Sequence, residues 1–421
     1  MIPTAAAPSI TARSAFQMWV PCIGMALCSW LAFVDRQVIA VLSPTIMAET
    51  GMSAQEFGRL VTFFFVAYTV GNPLWGSVLD YVGLRAGMLV AVAIWTAASA
   101  SHALMGTFAG FAMARAVLGF GEGATFPGGL RTAVESLPAE MRARGIAASF
   151  SGGTIGAIVT PLIALPVAAA YGWRAAFIMT GLFGVTWLVL WAFIARVPFL
   201  PVRTHQPARL AWPNPAERRF WMLVFSYALP AIAPGPIITL FQIYLNRELG
   251  VAQSDLRSIL WMPPLAWGAG YFFWGWIADR FATNDPRPIG LFGLLTVCSL
   301  ALGIAPMFAS VPAAIALMSW ACFIGGGFQM TALKVALYNF PREQAAMMSG
   351  IASGSWSLVN FILLNAIGAG VTIAGVKILP GANLISTQRW EEIFWIIALM
   401  PLAGIAAWMV LSRNQTTAAR A

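Results

Sequence analysis

Charged side chains are scarce in this chain of 421 residues. Only 9% of the residues are Asp, Glu, Lys or Arg, whereas 59% are hydrophobic. Soluble domains contain about 25% charged residues. The composition therefore excludes a soluble globular fold and places the chain among integral membrane proteins.

Residues that build metal centres, disulfides and enzyme active sites are also few. The chain contains 4 cysteines and 2 histidines. The cysteines lie in apolar segments without metal-ligand spacing, so neither a disulfide framework nor a zinc site is indicated. The sequence has no metalloprotease motif, phosphate-binding loop, dinucleotide fingerprint or Ser/His/Asp set. We therefore expect no enzyme activity, no metal and no cofactor.

Long apolar segments dominate the chain instead. Twelve of them have the length of about 20 residues that crosses a bilayer, and short polar turns separate them. They cover residues 18–47, 57–79, 87–104, 108–133, 145–170, 175–195, 220–245, 259–278, 289–308, 311–337, 346–373 and 390–411. We predict an all-α integral membrane protein with twelve transmembrane helices.

The arginines indicate how these helices are oriented. Because the number of spans is even, both termini lie on one side. The loops on that side carry most of the arginines, such as Arg142 and Arg144, whereas the opposite loops hold few, such as Arg174 and Arg389. The positive-inside rule therefore predicts cytoplasmic termini. Since the basic residues are scattered along loops, the net charge of +9 gives no reason to expect a nucleic-acid partner.

A loop motif occurs at the same place in both halves of the chain. Residues 76–85 read GSVLDYVGLR after the second span, and residues 275–281 read GWIADRF after the eighth. An Asp at a helix end can accept hydrogen bonds from the N-terminus of a neighbouring helix and can pair with the Arg of its own loop. We therefore predict a conformational latch, formed by Gly76, Asp80, Arg85, Asp279 and Arg280.

The repeat also predicts the domain organisation. Two pseudo-symmetric six-helix bundles are expected over residues 15–196 and 219–412. A cytoplasmic linker rich in Pro and Arg, residues 197–218, joins them, with cytoplasmic tails at 1–14 and 413–421. The first 14 residues lack the pattern of a cleaved signal peptide, so we expect the first span to remain in the mature protein.

Four charged residues lie well inside predicted spans of the first half: Asp35 and Arg36 in the first, Arg115 and Glu122 in the fourth. A charge at the membrane centre costs roughly 2.5 to 3.5 kcal/mol, so such residues face a protein interior or a wet cavity. Arg115 and Glu122 are seven residues apart and share one helix face. Counting the rise per residue places the two arginines at similar depth, with Glu122 about two turns nearer the cytoplasm.

These residue types suit the transport of an anion with protons. Two guanidinium groups at one depth can bind a carboxylate in bidentate fashion. Two partly desolvated carboxylates can carry a proton. We predict that Arg36 and Arg115 bind substrate and that Asp35 and Glu122 couple transport to protons. In the alternative interpretation, the four charges neutralise one another in two closed structural pairs.

Several stretches resemble a known family. Residues 34–36 read VDR, residues 115–127 follow the pattern RxxxGxxExxxFP, and residues 172–181 follow GWRxxFxxxG. Together with the loop motif, they resemble the anion:cation symporter family of the major facilitator superfamily, which includes hexuronate, galactonate and glucarate transporters, sialin and the vesicular glutamate carriers. The resemblance implies a major facilitator fold and proton-driven symport of organic anions. It is looser in the second half, where FQIYL at 241–245 keeps only Tyr244 and Leu245 of the family pattern.

Uncharged polar groups in the second half could read substrate hydroxyls or could join helices to one another. They are Gln242, Tyr244, Gln329, Ser355, Trp356 and Asn360. Lys334, about one turn before the expected membrane boundary, either extends to the cytoplasmic headgroups or forms a second anion contact.

We predict a monomeric carrier in a bacterial inner membrane that imports an organic anion, such as a sugar acid or small carboxylate, together with protons by alternating access. Its partners are the anion, protons and the lipid bilayer. The main alternative is a proton-coupled exporter. A non-transporting membrane sensor is less favoured, since the residues beyond 411 offer no signalling domain.

Overall fold

The computed structural model describes residues 14–52, 54–196, 198–200, 214–239, 241, 244–245, 248–251, 255, 258–281, 287–369 and 387–412. The regular structure in these ranges is helical, without a strand. Eight of the helical segments are long and apolar enough to cross a membrane.

The described part of the first half contains eight α-helices, which together form the six predicted spans. They are α1 (Ala15–Val41), α2 (Ser43–Thr50), α3 (Ala54–Val82), α4 (Leu84–Ser101), α5 (Phe108–Glu122), α6 (Thr125–Ser136), α7 (Arg142–Tyr171) and α8 (Trp173–Ile194). Short 3₁₀ turns follow α4 at His102–Leu104 and precede α7 at Ala139–Met141.

The described part of the second half continues this pattern. Its α-helices are α9 (Arg218–Tyr227), α10 (Pro234–Thr239), α11 (Met262–Phe281), α12 (Ile289–Ser299), α13 (Val311–Asn339), α14 (Ala345–Ala369) and α15 (Thr387–Ser412). A 3₁₀ segment, Leu300–Met307, extends α12, and a 3₁₀ turn, Arg342–Gln344, precedes α14.

Three spans predicted as continuous helices are broken: two in the first half, and residues 220–245, which divide between α9 and α10. The first span divides at Leu42 into α1 and α2, because Pro44 lies at the start of α2, where proline needs no amide donor and favours a new helix. The fourth span divides after Glu122 into α5 and α6. Gly123 at this break packs so closely that a Cβ atom there would lie 2.7 Å from the Asn72 nitrogen on α3. This break places Glu122 at the end of a helix.

The two halves meet through α3 with α14 and through α7 with α11. Glycines allow the backbones of α3 and α14 to touch. A Cβ atom on Gly76 would lie 2.6 Å from Met347 Cα, and one on Gly350 would lie 2.3 Å from the Asn72 carbonyl oxygen. Close approach through small residues is the usual basis of helix packing in membranes. Gly76 therefore lies directly at a contact between the halves.

Apolar side chains cover the outside as well as the core. Leu162, Leu182 and Phe193 are more than 60% exposed, whereas Trp95 and Trp191 are fully buried. In water such an outer surface would be unfavourable, but it suits contact with lipid chains. The helices thus form a bundle that is apolar outside, with its polar groups placed inside.

Candidate functional site

An ion pair joins α1 to the end of α5. Arg36 Nε donates a hydrogen bond to Glu122 Oε2 at 2.5 Å. The Glu122 side chain is fully buried, whereas 16% of the Arg36 side chain remains exposed. The pair therefore borders accessible space. The sequence-based depths did not indicate this direct contact, which the long Arg36 side chain makes with Glu122.

Two aromatic rings of α3 hold both arginines. Arg36 Cζ lies 4.4 Å from the centre of the Tyr68 ring and 5.2 Å from that of Phe64. Arg115 Cζ lies 4.6 Å from the same Phe64 ring. Cation–π attraction at these distances fixes the guanidinium groups against a common surface. Phe64 and Tyr68 were missed in the sequence because they lie in an apolar aromatic run without a charge to mark them.

Arg115 is the least satisfied charged group of the site. The residue is only 3% exposed, and its Nε and Nη1 atoms are buried without a hydrogen-bond partner among the described residues. Arg36 Nη2 and Glu122 Oε1 are also buried without partners there. Buried donors left unpaired are costly, more so when they are charged. The arrangement therefore has room in its hydrogen bonding for an additional acceptor.

Asp35 is buried separately from the Arg36–Glu122 pair. Its Oδ1 atom lies within hydrogen-bond distance of Ser99 Oγ, at 2.6 Å, and its Oδ2 atom has no partner in the described part of the chain. Asp35 is 2% exposed and forms no ion pair with Arg115 among these residues. Among Asp35, Arg36, Arg115 and Glu122 the structure thus contains one closed ion pair, not the two of the purely structural interpretation.

Two polar residues of the second half contact their own half. Gln329, which is 2% exposed, accepts a hydrogen bond from Trp267 Nε1 at 3.1 Å. Trp356 Nε1 donates to the Ala231 carbonyl oxygen at 2.6 Å. These bonds fit the alternative in which such residues join helices, and their contact with substrate stays a prediction.

The other polar candidates of the second half are similarly engaged. Ser355 donates to Ala352 O at 2.7 Å within α14, and Asn360 Nδ2 donates to Trp356 O at 2.9 Å. Asn360 Oδ1 has no partner in the ranges that the structure describes. The ring of Tyr244 packs against aromatic rings of α15. Gln242 lies outside the described residues.

Asp80 links α3 to the start of α14, across the two halves. Its carboxylate accepts hydrogen bonds from the backbone N–H groups of Ala346 at 3.2 Å and Met347 at 2.9 Å. Its positively charged partner is Arg131 of α6, at 3.3 Å, and not the predicted Arg85. Arg85 is exposed because α4 begins directly after Gly83, whose positive φ of 98° turns the chain away.

Asp279 makes the equivalent contact between α11 and the start of α7. It accepts hydrogen bonds from the N–H groups of Ala143 at 3.1 Å and Arg144 at 3.0 Å, and from Arg144 Nε at 3.2 Å. The predicted Arg280 is exposed, near the Phe281 ring. Both aspartates thus sit at the N-terminus of a helix of the other half, where the helix dipole favours negative charge.

Lys334 occupies neither of the two positions considered from the sequence. Its Nζ atom donates to Asp279 Oδ1 and to the Ala139 carbonyl oxygen, both at 2.7 Å, and the side chain is 7% exposed. Lys334 therefore does not extend to the headgroups, and its charge is taken up by Asp279. Lys334 lies there because a buried ammonium group is stabilised by pairing with a buried carboxylate.

The GWR motif forms a contact at the opposite end of the first half. Gly172 has a positive φ of 81°, which lets α8 begin at Trp173. Trp173 Nε1 donates to Glu49 Oε2 at 2.7 Å, and Arg174 Nη1 donates to Glu49 Oε1. The motif therefore ties α2 to α8.

This surface contact has a defined pH dependence. Hydrogen bonds from Arg174 and then Trp173 lower the pKa of Glu49 from its ordinary value of 4.5. A carboxyl whose pKa is lowered in the folded state stabilises the fold above its unfolded pKa and loses this effect as the pH falls through the folded value. We expect Glu49→Gln to have a slightly lower Tm than wild type at pH 7, and the two Tm values to coincide well below pH 4.5. A difference that persists in acid would contradict this contact.

The chain matches a known protein family over most of its length. The family model described as Major Facilitator Superfamily matches residues 25–364. The chain belongs to the Major Facilitator Superfamily. This membership confirms the predictions of a multi-pass membrane transporter with the major facilitator fold, and it agrees with the expectation that the chain is not an enzyme.

Individual relatives of this major facilitator protein support the assignment. The hexuronate transporter of Escherichia coli strain K12 is 24% identical over 417 residues, which covers 91% of each chain. The D-galactonate transporter of Escherichia coli O6:H1 is 25% identical and covers 76% of this chain and 81% of its own. Among solved structures, a bacterial homologue of the iron transporter ferroportin in an outward-facing state has a TM-score of 0.69 at 13% identity, covering 93% of this chain and 100% of that one.

Proposed function

We propose that this protein is a proton-coupled symporter that takes up an organic anion, such as a sugar acid or a small carboxylate. The observation that carries the proposal is the buried Arg115 guanidinium with two unpaired nitrogens beside the Arg36–Glu122 pair. Planar carboxylates match the guanidinium fork. The relatives named as hexuronate and D-galactonate transporters support the same substrate class.

Charge balance supplies the coupling in this proposal. When both acids are ionised, the charges of Asp35, Arg36, Arg115 and Glu122 sum to zero. Binding an anion then leaves one uncompensated negative charge in a buried site, which is costly. A proton taken up by Asp35 or Glu122 restores neutrality, so anion binding and proton binding favour each other. Protonation of Glu122 also frees Arg36 to bind the substrate carboxylate.

Transport follows by alternating access of the two halves, residues 15–196 and 219–412, with residues 197–218 as the linker. The Asp80 and Asp279 contacts close one end of the molecule, which we propose is the cytoplasmic end. In this orientation both termini are cytoplasmic, as the distribution of arginines favours. We further propose that the protein works as a monomer in a bacterial inner membrane.

Uptake into vesicles that contain the purified protein tests this function. We expect an inward proton gradient to drive accumulation of at least one anion from a panel of hexuronates, aldonates and small mono- and dicarboxylates. Collapsing the gradient with a protonophore should abolish accumulation. Reversing the gradient should reverse the direction of net movement for a symporter, whereas an exporter that exchanges protons for anion would accumulate anion toward the acidic side.

Amide variants separate coupling from binding. Asp35→Asn and Glu122→Gln should each lose accumulation driven by the gradient. Wild-type accumulation in both variants would contradict the assignment of the coupling acids and would return these residues to a structural role.

A further inference from the structure

A chain of hydroxyl groups connects Asp35 to two other helices. Asp35 Oδ1 on α1 lies 2.6 Å from Ser99 Oγ on α4, and Ser99 Oγ lies 2.7 Å from Thr180 Oγ1 on α8. Thr180 Oγ1 lies 3.0 Å from the Phe177 carbonyl oxygen. Three successive contacts of hydrogen-bond length therefore run from the carboxyl to the backbone of α8.

Counting protons on this chain distinguishes the two states of Asp35. Three hydrogen bonds need three donated protons, but the hydroxyls of Ser99 and Thr180 supply only two. The third must come from Asp35 itself. With Asp35 protonated, Asp35 donates to Ser99, Ser99 to Thr180, and Thr180 to the carbonyl oxygen. The remaining Asp35 Oδ2 atom, which is buried without a described partner, is then a neutral carbonyl oxygen and costs less to bury.

Loss of the proton reverses the direction of the chain. When Asp35 gives its proton to water, Ser99 turns its O–H toward the carboxylate, and Thr180 turns its O–H toward Ser99. The Phe177 carbonyl oxygen then receives no hydroxyl. The ionised form keeps two bonds, one of them strengthened by the negative charge, in place of three neutral bonds. The chain can therefore support both states.

We propose that Ser99 and Thr180 are positioning residues for the proton on Asp35, and that the conformation seen here holds Asp35 in its protonated form. The role of this proton in transport rests on the proposed function. Neither residue was selected from the sequence, because buried serines and threonines of membrane helices are usually bonded to their own helix.

Other charged or titratable groups lie on α1, on α5 and directly after α4. Glu122 on α5 is bonded to Arg36, and Arg115 lies against Phe64. His102, after α4, bonds through Nδ1 to Ala98 O. Cys28 is one of the buried residues of α1. Substitutions at Ser99 and Thr180 leave all of these groups in place.

The two hydroxyls are expected to act in opposite directions. Ser99→Ala removes the donor to the ionised carboxylate, so Asp35 should keep its proton to higher pH. Thr180→Val removes two bonds from the protonated chain but only one from the ionised chain, so Asp35 should lose its proton at lower pH. The free energy of one hydrogen bond corresponds to a shift of about one pH unit in a titration midpoint. Each midpoint should therefore move by roughly half to one unit.

Infrared difference spectroscopy of the purified full-length protein measures this directly. Wild type near pH 7 should show a carboxylic acid C=O band that is absent in Asp35→Asn. Titration of this band should give a higher midpoint in Ser99→Ala and a lower one in Thr180→Val. Thr180→Ser, which keeps the hydroxyl, should restore the wild-type midpoint. Thr160→Val is the matched control, because this buried hydroxyl bonds only within α7 among the described residues.

Three results would overturn the proposal. The first is that no acid band near pH 7 can be assigned to Asp35. The second is that the titration midpoints of Ser99→Ala and Thr180→Val shift in the same direction, and the third is that neither midpoint shifts. These results do not depend on transport. If wild type shows no gradient-driven uptake, the proposed function fails, while the infrared titration still decides whether the hydroxyl chain holds the proton.

Discussion

Replacement of Arg115 by methionine is expected to lower the initial rate of anion uptake at low substrate concentration by at least about 100-fold. Arg115 is 3% exposed, and two nitrogens of its guanidinium group have no hydrogen-bond partner among the described residues. A hydrogen bond to a charged group contributes roughly 1.5 to 3 kcal/mol, and about 1.4 kcal/mol corresponds to a factor of ten in affinity. Loss of two such bonds therefore accounts for the expected effect. Calorimetric titration with the transported anion should show the same loss in affinity.

The shape of the group matters as well as its charge. Arg115→Lys keeps the positive charge but replaces the planar fork by a point charge, so we expect an intermediate loss of about tenfold. Arg218→Met is the matched control, since Arg218 is exposed at the start of α9. Wild-type affinity in Arg115→Met would show that the anion does not bind there.

The charged site was predictable because intramembrane charges are conspicuous. Asp35, Arg36, Arg115 and Glu122 interrupt apolar runs, and the cost of burying a charge gives such residues a polar environment. Helical spacing then places Arg115 and Glu122 on one face. The structure brings Arg36, Arg115 and Glu122 around one aromatic surface, as this reasoning implies.

The helix breaks were not predictable in the same way. Pro44 lies in a hydrophobic segment, and membrane helices tolerate proline, so it does not by itself indicate that α1 ends at Val41. Gly123 is one glycine of a small-residue stretch, and the sequence does not show that it packs against the backbone of α3 at the end of α5. A proline or glycine in a membrane span is therefore compatible both with a break and with a continuous helix, and the local sequence does not decide between them.

Partners across helices were the least predictable feature. Ser149 bonds to Gly145 within its own helix, whereas Ser99 bonds to Asp35 on another helix, although both are buried serines in apolar sequence. The loop arginines show the same limit. Their charge indicates the orientation of the chain, but it does not reveal that Arg131 instead of Arg85 pairs with Asp80.

Lys334→Met is expected to have the second large effect, on stability and on the closed end of the molecule. Lys334 and Asp279 form a bond of 2.7 Å at 7% and 3% side-chain exposure. Removing one member of a buried pair leaves the other charge uncompensated and costs about 3 to 5 kcal/mol. We expect a value near or below the lower limit, because Asp279 keeps its ion pair with Arg144 Nε and the N–H groups of Ala143 and Arg144. Thermal unfolding in detergent should show the loss as a lower Tm.

The double variant distinguishes an ion pair from a general effect of losing a lysine. If Lys334 acts through Asp279, then adding Asp279→Asn to Lys334→Met should recover part of the lost stability, since no unpaired charge remains. Arg280→Met, at the exposed residue beside Asp279, should change stability by no more than about 0.5 kcal/mol. Additive losses in the double variant would contradict the pairing.

Because Lys334 also bonds Ala139 of the first half, its loss should lengthen spin-label distances between the start of α7 and the end of α11. An unchanged distance together with a lowered Tm would show that Lys334 stabilises the second half without holding the two halves together.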